Sequence, residues 1–195
     1  MTSPHQTRDV RSLVESLRSG PSAEYIFFWG HRPPKGEGVT ASCFSQWYDA
    51  PFTVDGEHFR TAEHFMMAGK AALFGDLELR RQILDAPTPD QVKGLGRKVA
   101  GFDEARWARH RFEIVVAANL GKFGESGKLR RFLLDTGDRV LVEASPVDPV
   151  WGIGLAANDP AAQDPAQWRG LNLLGFALMQ VRERLRSSDE KGSRP

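Results

Sequence analysis

The chain has 195 residues, 41% of them hydrophobic and 26% charged, with a formal net charge of +1. This length predicts one domain with short tails, and the nearly neutral charge gives no general affinity for polyanions. The single cysteine, Cys43, excludes an intrachain disulfide and a cysteine zinc cluster. No apolar stretch approaches the length of a membrane span or of a signal-peptide core, so we expect a soluble, cytoplasmic protein.

The N-terminal third combines one helix with short strands. Residues 1–20 are predicted to form a tail and a short amphipathic helix, because apolar residues recur at helical spacing from Asp9 to Arg18. The aromatic run Tyr25–Trp29 predicts a buried strand, and Ala41–Trp47 predicts a second one. Asp55-Gly56 between two short apolar arms is the strongest hairpin signal in the chain.

Helices dominate the sequence from Thr61 onward. Four residues suited to cap a helix start precede apolar, helix-spaced segments: Thr61, Asp76, Thr88 and Asp103. The segment from Ser145 to Trp168 is rich in Pro, Asp and Gly, and an irregular segment of this length is usually functional or mobile.

The remaining elements define the fold class. Val140–Val142 predicts a strand, a last helix is expected from Leu171 to Arg186, and residues 188–195 are expected to be disordered. The strands do not alternate with helices as βαβ units require. The sequence therefore predicts a helix-rich α+β single domain with a few short strands, covering residues 21–187.

The segment Thr61–Lys70, TAEHFMMAGK, carries a carboxylate and an amine on an otherwise apolar helix. Glu63 and Lys70 are seven residues apart, so both project from one face, roughly 10 Å apart along the axis. Burying either charge is costly, and a carboxylate and an amine in one pocket can perform acid–base or Schiff-base chemistry. The alternative is a surface face that carries a salt bridge.

A second candidate site is the glycine-containing loop DPVWGIG. Asp148 supplies a carboxylate, Trp151 a stacking surface, and Gly152 lets a ligand approach the backbone. The alternative is a loop whose tryptophan fills the core.

Other polar and aromatic residues allow both a binding and a structural interpretation. Ser45 and Gln46, beside Phe44, can fix a sugar or phosphate, or can belong to a strand edge. Arg97 can hold a phosphate or favour a helix C-terminus, and Asn172 is suited to cap the last helix. The histidines match no metal spacing, and a GxSxG elbow is absent, so neither a metal site nor a serine hydrolase is predicted.

Together, the motifs resemble the YbiA-like family, also called NADAR (NAD- and ADP-ribose-associated). The motifs are FSQW, TAEHFMMAGK, LGRK, Trp107, LLDTGDRVLVE, DPVWGIG and GLNLLGFALMQVRERL, in this order. They cover roughly Tyr25 to Leu185. Where the family often has FSNF, this chain has a glutamine, Gln46, whose amide is one methylene further from the backbone.

The resemblance implies an N-glycosidase that hydrolyses the bond between ribose C1 and an exocyclic amine. Two substrate classes are known in the family: guanine carrying ADP-ribose in nucleic acid or nucleotide, and phosphoribosylamino-pyrimidine intermediates of riboflavin synthesis. The resemblance implies no cofactor, no metal and no stable protein partner. A module that binds ADP-ribose without cleaving it is the alternative from another class.

The resemblance also assigns residue roles. Lys70 matches the lysine proposed to form a Schiff base, Glu63 the glutamate that shuttles protons or binds ribose, and Asp148 a second carboxylate. The expected substrate-binding residues are Phe44, Ser45, Gln46, Arg97, Trp107, Trp151, Gly152 and Asn172. Direct displacement between two carboxylates is an alternative route that the sequence does not separate from the Schiff base.

Overall fold

The computed structural model describes residues 3–20, 22–33, 36 and 38–192. The fold is α+β and rich in helix, which confirms the predicted class. In chain order, the elements are α1 (Val10–Ser19), β1 (Tyr25–Phe28), β2 (Phe52–Val54), β3 (Glu57–Phe59), α2 (Ala62–Leu73), α3 (Leu77–Asp85), α4 (Pro89–Gly96), α5 (Glu104–Glu125), α6 (Gly127–Leu134), β4 (Val140–Glu143) and α7 (Leu173–Gly192). Two compact units hold these elements, one formed by residues 1–45 with 128–195 and the other by 46–127.

The first unit is built on a parallel pair of short strands. β1 pairs with β4 in a register that runs from Tyr25 opposite Val140 to Phe28 opposite Glu143. α7 packs on β4 so closely that a Cβ at Gly175 would lie 2.1 Å from the carbonyl oxygen of Leu141. The glycine therefore permits the helix to approach the backbone of the strand.

Two predicted segments of the first unit differ in the structure. Residues 41–47 were expected to form a strand, but Ala41–Phe44 forms a 3-10 turn. The Thr40 hydroxyl accepts a hydrogen bond from the Ser42 amide, and such local bonds compete with strand pairing. At the C-terminus, α7 continues to Gly192, so residues 188–192 are helical rather than disordered, while residues 193–195 lie outside the described part.

The second unit packs a hairpin and four helices. β2 and β3 form the predicted antiparallel hairpin, and Asp55 and Gly56 both have positive φ, 52° and 80°. α2 packs against α3, α4 and α5. The four predicted capping residues each accept a bond from a backbone N–H of the first helical turn, as expected: Thr61, Asp76, Thr88 and Asp103. Within the residues that the structure describes, no helix combines the length and the apolar composition needed to cross a bilayer.

Gly121 is the contact point between α5 and the hairpin. A Cβ at Gly121 would lie 2.6 Å from Cδ2 of Phe52 and 2.9 Å from Cγ2 of Val54. We expect Gly121→Ala to destabilise the protein by about 1–3 kcal/mol, because the Phe52 ring and the Val54 side chain must move to admit the methyl group. Gly124→Ala is the matched control, since a Cβ there meets nothing within 4 Å, and should stabilise by about 0.5 kcal/mol. Urea unfolding of both variants checks this, and equal midpoints would contradict it.

Candidate active site

Helix α2 begins in a buried hydrogen-bond network around His64. The Nδ1 atom of His64 lies 2.8 Å from the Thr61 hydroxyl, and Nε2 lies 2.9 Å from the carbonyl oxygen of Ala86. Because a carbonyl only accepts, Nε2 carries the proton, and Nδ1 accepts from the hydroxyl. Burial lowers the pKa of His64, which favours the neutral ring. His64 therefore fixes the start of α2 and holds the residue before it, Glu63, in place.

Glu63 is buried in the first turn of α2, with 3% of its surface exposed. Its backbone N–H donates a hydrogen bond to the carbonyl oxygen of Gln46 at 3.0 Å. The side-chain Oε1 of Gln46 in turn accepts a bond from Nδ2 of Asn119 at 2.9 Å. The structure thus brings one predicted catalytic residue beside one predicted substrate-binding residue, at a helix N-terminus where negative charge is favoured.

Two polar residues of this region were missed by sequence reasoning. Asn119 and Lys122 lie one turn apart on α5, and both are buried, with 0% and 1% of their surfaces exposed. The Nζ atom of Lys122 lies 5.6 Å from the ring centre of Tyr48 and 5.1 Å from that of Phe123. The available signal was their spacing, because both residues fall among the buried positions of α5.

Lys70 lies in what we call the lysine pocket, formed with Gly96, Phe102 and Trp107. Its Nζ donates a hydrogen bond to the carbonyl oxygen of Gly96 at 2.8 Å. The same atom lies 4.1 Å from the ring centre of Phe102 and 5.7 Å from that of Trp107. Burial lowers the pKa of Lys70, an effect that the charge of Glu104 partly opposes. A lowered pKa increases the neutral, nucleophilic fraction of the amine.

The pocket contains one predicted residue and one that was missed. Trp107 was predicted to bound the substrate, whereas Phe102, which is 43% exposed, was not selected. Phe102 directly precedes the helix cap Asp103, and Trp107 follows it by four positions. Apolar residues at these two positions commonly pack together as a hydrophobic staple. That pattern is visible in the sequence and could have identified Phe102.

Glu104→Gln tests the electrostatics of the lysine pocket. Removing this carboxylate removes the charge that raises the pKa of Lys70, so the pKa should fall further below its ordinary value. The neutral fraction of Lys70 at a given pH should then rise, and its titration should move to lower pH. NMR titration of the Lys70 side chain measures this, with Glu113→Gln, on the same helix, as the control. An unchanged or higher pKa in Glu104→Gln would contradict the assignment.

The DPVWGIG loop lies in the first unit, against the end of β4. The Oδ1 atom of Asp148 accepts hydrogen bonds from the backbone of Val150 and Trp151, each at 2.9 Å. A Cβ at Gly152 would lie 2.8 Å from the carbonyl oxygen of Glu143, so this position requires glycine. One oxygen of the predicted catalytic Asp148 therefore shapes the loop.

Two predicted substrate-binding residues of the first unit belong to its framework. Phe44 is fully buried, and its ring centre lies 5.3 Å from that of Phe28. Asn172 is also fully buried, and its amide accepts a bond from the backbone N–H of Glu143 and donates one to the carbonyl of Leu141, both at 3.0 Å. Its side chain joins the start of α7 to β4.

The other predicted residues differ in exposure. Ser45 and Trp151 are half-buried in the first unit, and Arg97 is exposed at the end of α4 in the second. In the described part of the chain, no group of three or more His, Cys, Asp or Glu side chains is placed to hold a metal ion.

The chain belongs to the NADAR domain family, since that family's model matches residues 27–186. This confirms the resemblance found in the motifs.

Individual relatives support the same placement. The chain is 41% identical to N-glycosidase R617 of Acanthamoeba polyphaga mimivirus over 82% of this chain and 95% of that protein. It is 31% identical to N-glycosidase YbiA of Escherichia coli over 74% and 79% of the two chains. The NMR structure of E. coli YbiA matches with a TM-score of 0.69 and 25% identity, over 93% of this chain and 95% of that one.

Proposed function

We propose that the protein is an N-glycosidase that hydrolyses the bond between ribose C1 and an exocyclic amine. Relatives named N-glycosidases support the activity. The observation that carries the proposal for this chain is the state of Lys70, a half-buried amine of lowered pKa held against aromatic rings. An amine in such surroundings is suited to covalent catalysis at a carbonyl-like carbon.

The proposed route uses the imine that forms when a ribosylamine ring opens. The neutral Nζ of Lys70 adds to C1, and the C1–N bond to the base then breaks. The base amine leaves with the two protons that Nζ of Lys70 loses, so a neutral lysine–sugar Schiff base remains. Water adds to C1, the C1–Nζ bond breaks, and the sugar aldehyde and the free lysine are released. One group must carry these protons from Nζ of Lys70 to the amine of the base.

We assign this proton transfer to Glu63. Its carboxylate is buried, and its position on α2 is about 10 Å from that of Lys70 along the helix axis. That separation exceeds a direct ion pair and leaves room for C1 and the leaving amine between the two side chains. Glu63 and Lys70 would then act on C1 from two sides, with Glu63 exchanging protons at the leaving amine.

We further propose guanine carrying ADP-ribose as the substrate. The faces of Phe102 and Trp107 in the lysine pocket are suited to pack against a base or a ribose. A second candidate is a phosphoribosylamino-pyrimidine. It is favoured by 30% identity to riboflavin biosynthesis protein VVA0006 of Vibrio vulnificus, of which this chain covers 42%.

The test incubates wild type, Lys70→Ala and Lys98→Ala with guanine-ADP-ribosylated DNA and, separately, with a phosphoribosylamino-pyrimidine. Mass spectrometry follows release of the sugar from each substrate, which is ADP-ribose in the case of the DNA. Lys98→Ala is the matched control, since it removes an exposed lysine from the same unit. Release of ADP-ribose from DNA by wild type and the control alone supports the first substrate, and cleavage of the pyrimidine alone supports the second. Tight binding of ADP-ribose with no turnover of either would overturn the enzymatic proposal.

A further inference from the structure

Arg182 is a buried cation of the first unit, unrelated to the proposed reaction. Only 1% of its surface is exposed. Its Nη1 donates to the Thr136 hydroxyl at 2.7 Å and to the carbonyl oxygen of Arg139 at 2.9 Å, and both acceptors are neutral. Its Nη2 is buried and has no hydrogen-bond partner. Burying a guanidinium with an unbonded N–H costs free energy unless another group accepts a hydrogen bond from it.

The carboxylates nearest to Arg182 are already engaged by other arginines. Asp138 accepts a bond from Arg186 at 2.8 Å, and Glu183 is paired with Arg8. Burial and the charges of Arg186 and Arg139 lower the pKa of Arg182 to about 10, against the opposing charges of Asp138 and Glu183. These carboxylates are thus engaged elsewhere, and the acceptors bonded to Nη1 of Arg182 are neutral.

A cavity of about 190 Å³ adjoins Arg182. Its lining brings the N-terminal 3-10 turn (Pro4–Gln6) together with α7, and it includes His5, Gln6, Arg182, Glu183, Arg186 and Glu190. His5 also lies 3.9 Å from Asp138, measured from Nε2 to Oδ1. Donor residues of the turn and of α7 thus line one small space, together with the carboxylate residues Glu183 and Glu190.

We propose that this cavity binds a phosphate group, held by the guanidinium of Arg182 and by His5 and Gln6. Guanidinium groups match phosphate oxygens in geometry and charge, and an anion here would offset the buried positive charge. Because the turn and α7 would contact the same anion, binding would fasten the N-terminal turn to the last helix. The site is independent of the proposed glycosidase reaction.

The test measures thermal unfolding of the full chain in phosphate and in chloride at equal ionic strength. With a Kd of about 1 mM, 20 mM phosphate should raise the Tm of wild type by about 4–7 °C. Arg182→Gln and His5→Ala should lose most of this gain, while Arg131→Gln, which removes an exposed arginine of the same unit, should keep it. General stabilisation by phosphate is common to all variants and cancels in the comparison.

A second variant and a second ligand sharpen the result. Glu190→Gln removes a lining carboxylate and should tighten binding, so this variant and His5→Ala decide the question if Arg182→Gln does not fold. Adenosine monophosphate is tested beside inorganic phosphate. The ligand that binds more tightly shows whether the site prefers a phosphate ester or the free ion. The proposal is overturned if Arg182→Gln shows the same gain in Tm with phosphate as wild type. If Arg182→Gln does not fold, the proposal is overturned when both His5→Ala and Glu190→Gln show the wild-type gain.

Discussion

Lys70→Ala is expected to reduce turnover by more than about 10³-fold while the protein remains folded. The proposed reaction forms a covalent bond to Nζ, and the neighbouring Phe102 and Trp107 offer no substitute nucleophile. Stability should be kept, because the variant removes a half-buried amine whose ionised form is disfavoured by burial. Single-turnover rates and circular dichroism of the variant, compared with Lys98→Ala, measure the two effects. Near-wild-type turnover in Lys70→Ala would eliminate the Schiff-base role.

Borohydride trapping identifies the reacting amine directly. Reduction during turnover should leave a stable sugar adduct, which peptide mass spectrometry should map to Lys70. The buried Lys122 is the informative comparison, since its amine also lies near aromatic rings of the same unit, those of Tyr48 and Phe123. An adduct on Lys122 would move the chemistry away from the lysine pocket, and the absence of any adduct during active turnover would favour direct displacement.

Glu63→Gln is expected to lower kcat by about 10²–10⁴-fold, the usual contribution of a positioned acid–base group. Glutamine keeps the volume of the side chain and the start of α2, but it cannot exchange a proton with the leaving amine. Because the loss concerns proton transfer, kcat should fall much more than substrate affinity. Steady-state kinetics on the substrate identified above provide the measurement.

Glu78→Gln is the matched control for Glu63→Gln, because it also removes one carboxylate from the second unit, an exposed one that is paired with Arg81. Its kcat should stay within a few-fold of wild type. A Glu63→Gln variant with unchanged kcat and a raised KM would instead make Glu63 a ribose-binding residue.

Local signals allowed the second unit to be predicted well. The caps at Thr61 and Asp103 and the turn at Asp55-Gly56 depend on side chains next to the backbone they bond. The pairing of β1 with β4 was not predicted, because the two strands are separated by the whole second unit and no turn fixes their register. The bonds of Asn172 to β4 depend on that pairing, so its framework role was equally hidden.

The residues of the candidate site also divide into those that local sequence reveals and those that depend on contacts between distant parts of the chain. Glu63 and Lys70 share one helix, so their spacing marked them as candidates, and the family resemblance then assigned their roles. Asn119 contacts Gln46 from a distant part of the sequence, and a lone amide at a buried helix position gives no sign of its partner. Phe102 lies between these cases, since its staple position is local but its place over Lys70 depends on how α2 and α5 pack.

Gly96 links the packing of two helices to the protonation of an amine. Its carbonyl oxygen holds Nζ of Lys70, while a Cβ on the same residue would lie 2.1 Å from Sδ of Met67. A larger residue at this position requires either the Met67 side chain or α4 to move, and a movement of α4 would withdraw the acceptor from the ammonium group. Natural variation at position 96 could therefore retune the reactivity of Lys70 without changing either of the residues proposed to perform the chemistry.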